Sequence, residues 1–133
     1  MSLYPFPKTE RLKSRKRIGQ LFKQKQTIGA YPLRVFWIEV EEDMETVTQA
    51  AFSVPKRKFK RAVERNRIRR KIIEAYRLQK GELCQYLEQK DKKIAIVWLY
   101  VATDPPTYAT VEKSMKKLLN RLKQAIETNE KSR

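Results

Sequence analysis

FSVPKRKFKRAVERNRIRRKIIEAYR, Phe52 to Arg77, is the stretch on which the reading of this chain turns. Pro55 has no amide hydrogen to give a sheet ladder, so a strand arriving at Val54 must end there. A lysine- and arginine-rich loop follows. From about Arg61 to Lys80 the spacing becomes helical, with Gly81 as the expected stop signal. At about 100° per residue, Ile68, Ile72, Ala75 and Tyr76 gather on one side of that helix, where they can pack on a sheet. Asn66, Arg70 and Arg77 gather nearly opposite, with Arg69 on the flank beside Arg65. Arg61, Arg65 and Arg69 repeat one turn apart. The segment reads as a folded helix with an apolar seam and a guanidinium-rich outer surface, not as a basic tail.

Arginine dominates over lysine here. Guanidinium groups contact phosphate in pairs of hydrogen bonds and are less strongly hydrated than ammonium, which suits ordered contacts to an RNA backbone. Asn66 is a poor helix former, and its amide is placed either to orient a neighbouring arginine or to touch RNA itself. A solvated helix face is the plain alternative. Against it, the five arginines between Arg61 and Arg70 repel one another at helical spacing, and only Glu64 lies among them to compensate.

Working outward, Leu33 to Val40 (LRVFWIEV) is rich in β-branched and aromatic residues and predicts a strand. An acidic run, Glu41 to Glu45, separates it from a second strand over about Thr46 to Val54, so the spacing predicts an antiparallel hairpin with a polar tip. Before these, Ile18, Leu21 and Phe22 predict a first helix over roughly Ser14 to Lys25. Beyond the central helix, Leu83, Tyr86 and Leu87 predict a short amphipathic turn or a helix extension. Ile94 to Ala102 (IAIVWLYVA) predicts a central strand buried on both faces, broken by Asp104-Pro105-Pro106. In the last helix Val111, Met115, Leu118, Leu119, Leu122 and Ile126 form one apolar stripe, with Thr110 as the expected N-cap and Glu112 in the first turn. The expected fold class is therefore α+β: a single two-layer sandwich, one mixed sheet with about three helices, spanning residues 1–133 with loose termini at about 1–13 and 127–133.

Composition bounds the function. The chain has 133 residues, 41% of them hydrophobic and 35% charged, with 31 Lys and Arg against 15 Asp and Glu, a net charge of +16. So large an excess repels itself unless a polyanion neutralises it. No apolar run approaches the roughly 20 residues of a spanning helix, and the basic N-terminal stretch has no apolar segment behind it, so neither a membrane span nor a secretory signal is expected. Cys84 is the one cysteine, which excludes an internal disulfide and fits a cytoplasmic location. There is no histidine, which removes Ser-His and Cys-His nucleophile pairs and the commonest zinc ligand.

Ala62-Val63-Glu64-Arg65-Asn66-Arg67-Ile68-Arg69-Arg70, preceded by Phe52-Ser53-Val54-Pro55-Lys56-Arg57, resembles the arginine signature of bacterial ribonuclease P proteins. Arg11-Leu12-Lys13 with Leu21-Phe22-Lys23 resembles that family's N-terminal helix, and Tyr108 to Leu122 its C-terminal helix, so the likeness covers most of the chain in order. It implies a left-handed crossover around the arginine-rich helix. It also implies that the protein binds the catalytic RNA subunit of ribonuclease P and the 5′ leader of precursor tRNA, promoting endonucleolytic removal of that leader. Arg61, Arg65, Asn66, Arg67, Arg69 and Arg70 are then the expected contacts to the RNA subunit. Ile18, Phe22, Phe36 and Ser53, with Lys56 and Arg57 at the edge, are the expected leader cleft. Cleavage is expected of the RNA subunit and the Mg²⁺ it mainly holds, with no catalytic residue, protein metal site or organic cofactor in this chain, and no protein oligomer is implied. Three positions depart from the family pattern: Ile73 where a basic residue is frequent, Lys60 where glycine is common, and Ile18 where an aromatic is frequent.

Other features have plainer readings. If the Leu33–Val40 strand is regular, Trp37 points away from Phe36, and the two cannot serve one cleft. Trp98 is expected in the core. Glu39, Glu41, Glu42, Asp43 and Glu45 read as a solvated tip rather than a Mg²⁺ site, and Lys113, Lys116, Lys117 and Lys123 as a solvated helix face. A ribosomal or general RNA-binding protein and an autonomous nuclease using Asp43 or Asp104 are the competing functions.

Overall fold

A computed structural model describes residues 10–23, 26–41 and 46–131. Its order is α1 (Arg15–Lys23), β1 (Thr27–Ala30), β2 (Leu33–Glu39), β3 (Thr48–Ser53), α2 (Ala62–Gln79), α3 (Gly81–Gln89), β4 (Ile94–Tyr100) and α4 (Tyr108–Lys131). The strands form one mixed sheet in the order β1-β2-β4-β3.

The predicted hairpin between the second and third strands does not form. β2 turns back instead on β1, whose four residues, Thr-Ile-Gly-Ala, were too short and too glycine-weakened to read as a strand. β3 crosses to the far side of β4 and pairs with it in parallel, so β4 lies between β2 and β3. A parallel pair needs a long crossover, and α2 with α3 supplies it. The tip predicted at Glu41 to Glu45 falls mostly outside the described residues. Central placement explains the composition of β4: Ile94, Ala95, Ile96, Val97 and Trp98 are buried on both faces.

The two faces are unequal. On one, α2, α3 and α4 close a large core in which Tyr76 packs on Trp98 and Phe52, Phe59 on Tyr100, and Trp37 is buried as its strand parity requires. Tyr76 donates to Thr48 Oγ1 at 3.2 Å, and burial pushes its phenol well above the usual value. On the other face, among the described residues, α1 and the segment before it supply the cover, with Leu12, Leu21 and Ile18 packed among Phe36, Ile38, Ala51, Ala95 and Val97. No other described helix joins this cluster, which leaves an open stretch of sheet among the described residues.

Several boundaries move for physical reasons. Gly81 is not a left-handed stop: among the described residues no glycine has positive φ, and Gly81 opens α3 after a kink at Lys80. The predicted extension at Leu83, Tyr86 and Leu87 is thus a fourth helix that buries all three. α4 begins at Tyr108, so its cap is Thr107, whose Oγ1 accepts from the Thr110 amide at 3.3 Å; Thr110 lies inside the helix and Glu112 beyond its first turn. At the ends expected to be loose, Leu12 is buried and its amide donates to Ala50 O at 2.9 Å, Glu10 pairs with Lys80, and α4 runs to Lys131.

Both sheet edges are capped. Ser114 and Arg121 of α4 donate to Ala30 O and Gly29 O on β1, while Leu12 and Arg69 donate to Ala50 O and Phe52 O on β3. Occupied edge carbonyls leave little template for pairing with another chain. Cys84 is half-buried, and desolvation raises its thiol pKa against the opposing pull of Lys80.

The packing makes a clear stability prediction. Ile72 is 0% exposed at the centre of the α2 seam, whereas Val63, on the outer surface of the same helix, is 61% exposed. Ile72→Ala should cost about 3 kcal/mol in urea denaturation, and Val63→Ala less than about 0.5. Equal effects would mean that the seam is wrongly placed.

Candidate nucleic-acid interface

The arginines of α2 divide by azimuth into two sets. Burial of Ile68, Ile72, Ala75 and Tyr76 turns one side of the helix to the sheet, as the spacing predicts. Arg65 and Arg69 fall on the flank nearest β3 and are partly used inside the chain. Arg65 Nη1 donates to Phe59 O at 2.8 Å and Lys60 O at 3.0 Å, which ties the basic loop to the first turns of α2. Arg69 Nε reaches Phe52 O at 3.3 Å, and its Nη1 donates to Asn66 Oδ1 at 2.8 Å. The amide of Asn66 therefore orients an arginine. The side chains of Arg61, Arg67 and Arg70 are exposed and make no hydrogen bond or ion pair among the described residues. Arg77, expected on the outer surface, instead lies two turns beyond Arg69 with its side chain only 17% exposed, and is held by Glu74, whose carboxylate raises the guanidinium pKa further.

The loop before α2 is built rather than slack. Phe59 is buried against Tyr100, Lys58 Nζ donates to Val101 O at 2.7 Å, and the amides of Lys58 and Phe59 both donate to Pro55 O. Lys60 replaces a common family glycine without strain, since Asp91 is the only described non-glycine residue with positive φ. These anchors leave Lys56 and Arg57 exposed at the rim.

On the open face, Phe22 of α1 meets Phe36 of β2 edge-on, ring centres 5.1 Å apart, and Phe22 remains 42% exposed. Ile18, one turn before Phe22, packs against the same buried cluster as Phe36. Ser53 lies on the same face two strands away, since Phe36 pairs with Val97 and Val97 with Ala51, while Ser53 pairs with Leu99 in the adjoining row. The predicted cleft residues thus share one face but not one cluster: an aromatic pair under α1, then Ser53 and the Lys56–Arg57 turn across Leu99. Around the β3 edge, Arg11, Lys13, Arg69 and Arg77 line a groove of about 630 Å³ floored by Phe52 and Ile73. Ile73 therefore contributes apolar floor where a basic residue is frequent in the family.

Comparison with known proteins bears on this arrangement. The family model for ribonuclease P matches residues 6–123. The chain belongs to the ribonuclease P protein family. A ribonuclease P protein component of Porphyromonas gingivalis is 36% identical over 115 residues, spanning 86% of this chain and 84% of that protein. One of Chlorobaculum tepidum is 31% identical over 103 residues, 72% of this chain and 67% of its own. The fold is that of the ribonuclease P protein of Staphylococcus aureus, at TM-score 0.68 and 18% identity, covering 85% of this chain and 94% of that one. The Thermotoga maritima protein superposes at TM-score 0.65 and 21% identity, with 84% and 96% covered. These structures share its single mixed sheet with packed helices.

Two parts of the surface leave no mark in the sequence pattern. The Glu10–Leu12 strap is held by backbone and by Lys80, which periodicity does not report. Arg34 stands on the open face of β2, but in sequence it is one polar residue inside a strand. Its face could have been read from the parity of Phe36, two residues on.

The two classes of arginine should separate in stability. Arg65→Ala removes a guanidinium that satisfies two loop carbonyls and should cost about 1 kcal/mol in urea denaturation. Arg67→Ala should stay within about 0.5 kcal/mol of the parent. A parent-like Arg65→Ala would show that the loop is held without it.

Proposed function

We propose that this chain is the protein subunit of ribonuclease P, docking on the catalytic RNA through the outer surface of α2 and holding the 5′ leader of precursor tRNA on the open face of the sheet. The observation that carries this reading is the pairing of two surfaces on one rigid unit. A fixed stripe of exposed guanidinium groups, Arg61, Arg67 and Arg70 with the oriented Arg69–Asn66 pair, suits a folded RNA backbone. An open sheet face with a half-exposed aromatic pair and a cationic rim suits an unpaired strand, whose bases stack on aromatic rings while lysine and arginine follow the phosphates.

On this reading the protein contributes binding and not bond cleavage. The arginine helix neutralises phosphates of the RNA subunit, which lowers RNA–RNA repulsion where the substrate docks. Leader contacts favour precursor over product, because mature tRNA has no leader to bind. Mg²⁺ belongs to the RNA subunit, where it would activate the attacking water. Carboxylates are magnesium's usual protein ligands, and the three in described ion pairs, Glu10, Glu39 and Glu74, lie apart, each beside its own cation, Lys80, Lys92 and Arg77. The compartment is the cytoplasm, where a lone cysteine stays reduced.

Precursor tRNA cleavage at low Mg²⁺ tests the reading, comparing bacterial ribonuclease P RNA alone, the protein alone and the two together. Efficient release of a mature 5′ end only from the mixture is expected. Cleavage by the protein alone would make it an autonomous nuclease, and tight RNA binding without stimulation would make it a general RNA-binding protein. Within the active mixture, Phe22→Ala should weaken precursor binding about five- to tenfold while leaving mature tRNA binding and assembly unchanged.

A further inference from the structure

β1 and the start of β2 carry a feature that the two surfaces above do not use. Arg34 precedes Phe36 by two residues on β2, so both side chains leave the same face of the sheet. In register, Gly29, Arg34, Leu99 and Ser53 form one row across β1, β2, β4 and β3, beside the row Thr27, Phe36, Val97 and Ala51. Arg34 therefore stands across Leu99 from Ser53, two strand spacings or roughly 10 Å away.

The Arg34 head is positioned, not trailing. Its guanidinium lies directly over Gly29: a Cβ built there would stand 3.0 Å from Nη2 and 3.3 Å from Cζ, so the absence of a side chain is what makes room. Nη1 donates to Thr27 Oγ1 at 3.2 Å. The Thr27 hydroxyl gives its own hydrogen to Val35 O at 3.0 Å, which leaves an oxygen lone pair facing the guanidinium. Among the described residues no carboxylate pairs with Arg34, so a neutral hydroxyl fixes its direction while its charge stays uncompensated. A guanidinium has five N–H donors, and this docking consumes one. An arginine serving only to cover Leu99 would need its methylenes alone, with the head left in water.

We infer that Arg34 is a phosphate-binding residue for single-stranded RNA, held in place by Gly29 and Thr27, and that it forms the far rim of the open-face cleft opposite Lys56 and Arg57. The inference rests on the leader reading above and deepens it. The RNA crosses the strands from Lys56 and Arg57 over Leu99 to Arg34, with the Phe22–Phe36 pair beside its path.

The test uses the holoenzyme reconstituted with ribonuclease P RNA, measuring affinity for precursor and mature tRNA across a salt series. Arg34→Ala should weaken precursor binding about fivefold, leave mature tRNA binding unchanged and make the precursor salt slope shallower by about 0.7. Arg34→Lys should restore that slope but not the full affinity, since an ammonium lacks the fork that grips phosphate. Gly29→Ala, which crowds the guanidinium without changing the charge, should also lower precursor affinity. Parent and Arg34→Ala should converge as the leader is truncated below the length that reaches the far rim. If Arg34→Ala fails to assemble, Thr27→Val keeps the charge and removes the hydrogen bond, and it should lower precursor affinity at least twofold. A parent-like precursor preference and salt slope in Arg34→Ala, or parent-like affinity in Thr27→Val, overturns the inference alone. A parent holoenzyme that does not distinguish precursor from mature tRNA overturns the leader reading and this inference with it.

Discussion

The orientation of the arginine-rich surface is set by what α2 buries. Ile68, Ile72, Ala75 and Tyr76 fit against the sheet, with Tyr76 between Phe52 and Trp98 and hydrogen-bonded to Thr48. Turning the helix by one residue would carry a guanidinium into that core, and burying an unpaired charge costs several kcal/mol. The helix therefore cannot roll. Its arginines keep fixed azimuths, and a strongly repelling charge stripe becomes a rigid surface feature. This arrangement matters for recognition, because cations held in advance lose less conformational freedom on binding than cations on a flexible tail.

The same constraint gives the arginines distinct tasks. Arg65 and Arg69, nearest the sheet, spend hydrogen bonds on Phe59, Lys60 and Phe52 carbonyls and so shape the loop and close the β3 edge. Their neighbours point outward with nothing in the described chain to compensate them. The loop they stabilise presents Lys56 and Arg57, and the edge they close borders the open face with Phe22 and Phe36. One helix thus links two surfaces, so any RNA seated on α2 has a defined position relative to a strand lying on the sheet.

Local patterns were legible and long-range pairing was not. The α2 seam, the apolar stripe of α4 and the doubly buried β4 follow from side-chain periodicity, which is a property of neighbours in sequence. Pairing is a property of residues far apart. The stretch from Leu33 to Val54 reads as a hairpin because two strands flank a polar run, but the apolar β4 lies between them and pairs with both. β1 leaves no signal because a four-residue strand containing glycine shows no alternation. At the candidate site, Phe22 and Phe36 came from the family resemblance, and the structure adds that they touch. Arg34 was invisible because its significance lies in Gly29 and Thr27 on the neighbouring strand.

The central claim is that the outward arginines of α2 form an RNA-docking surface while the inward ones build it. The most direct measurement is the salt dependence of affinity for ribonuclease P RNA, comparing the parent with an Arg67→Ala, Arg70→Ala double variant of unchanged stability. Each lost phosphate contact releases about one counterion fewer, so the logarithmic slope should become shallower by about one to two, with affinity lower at every salt concentration. A parent-like slope in the double variant would take α2 out of the interface and contradict the account.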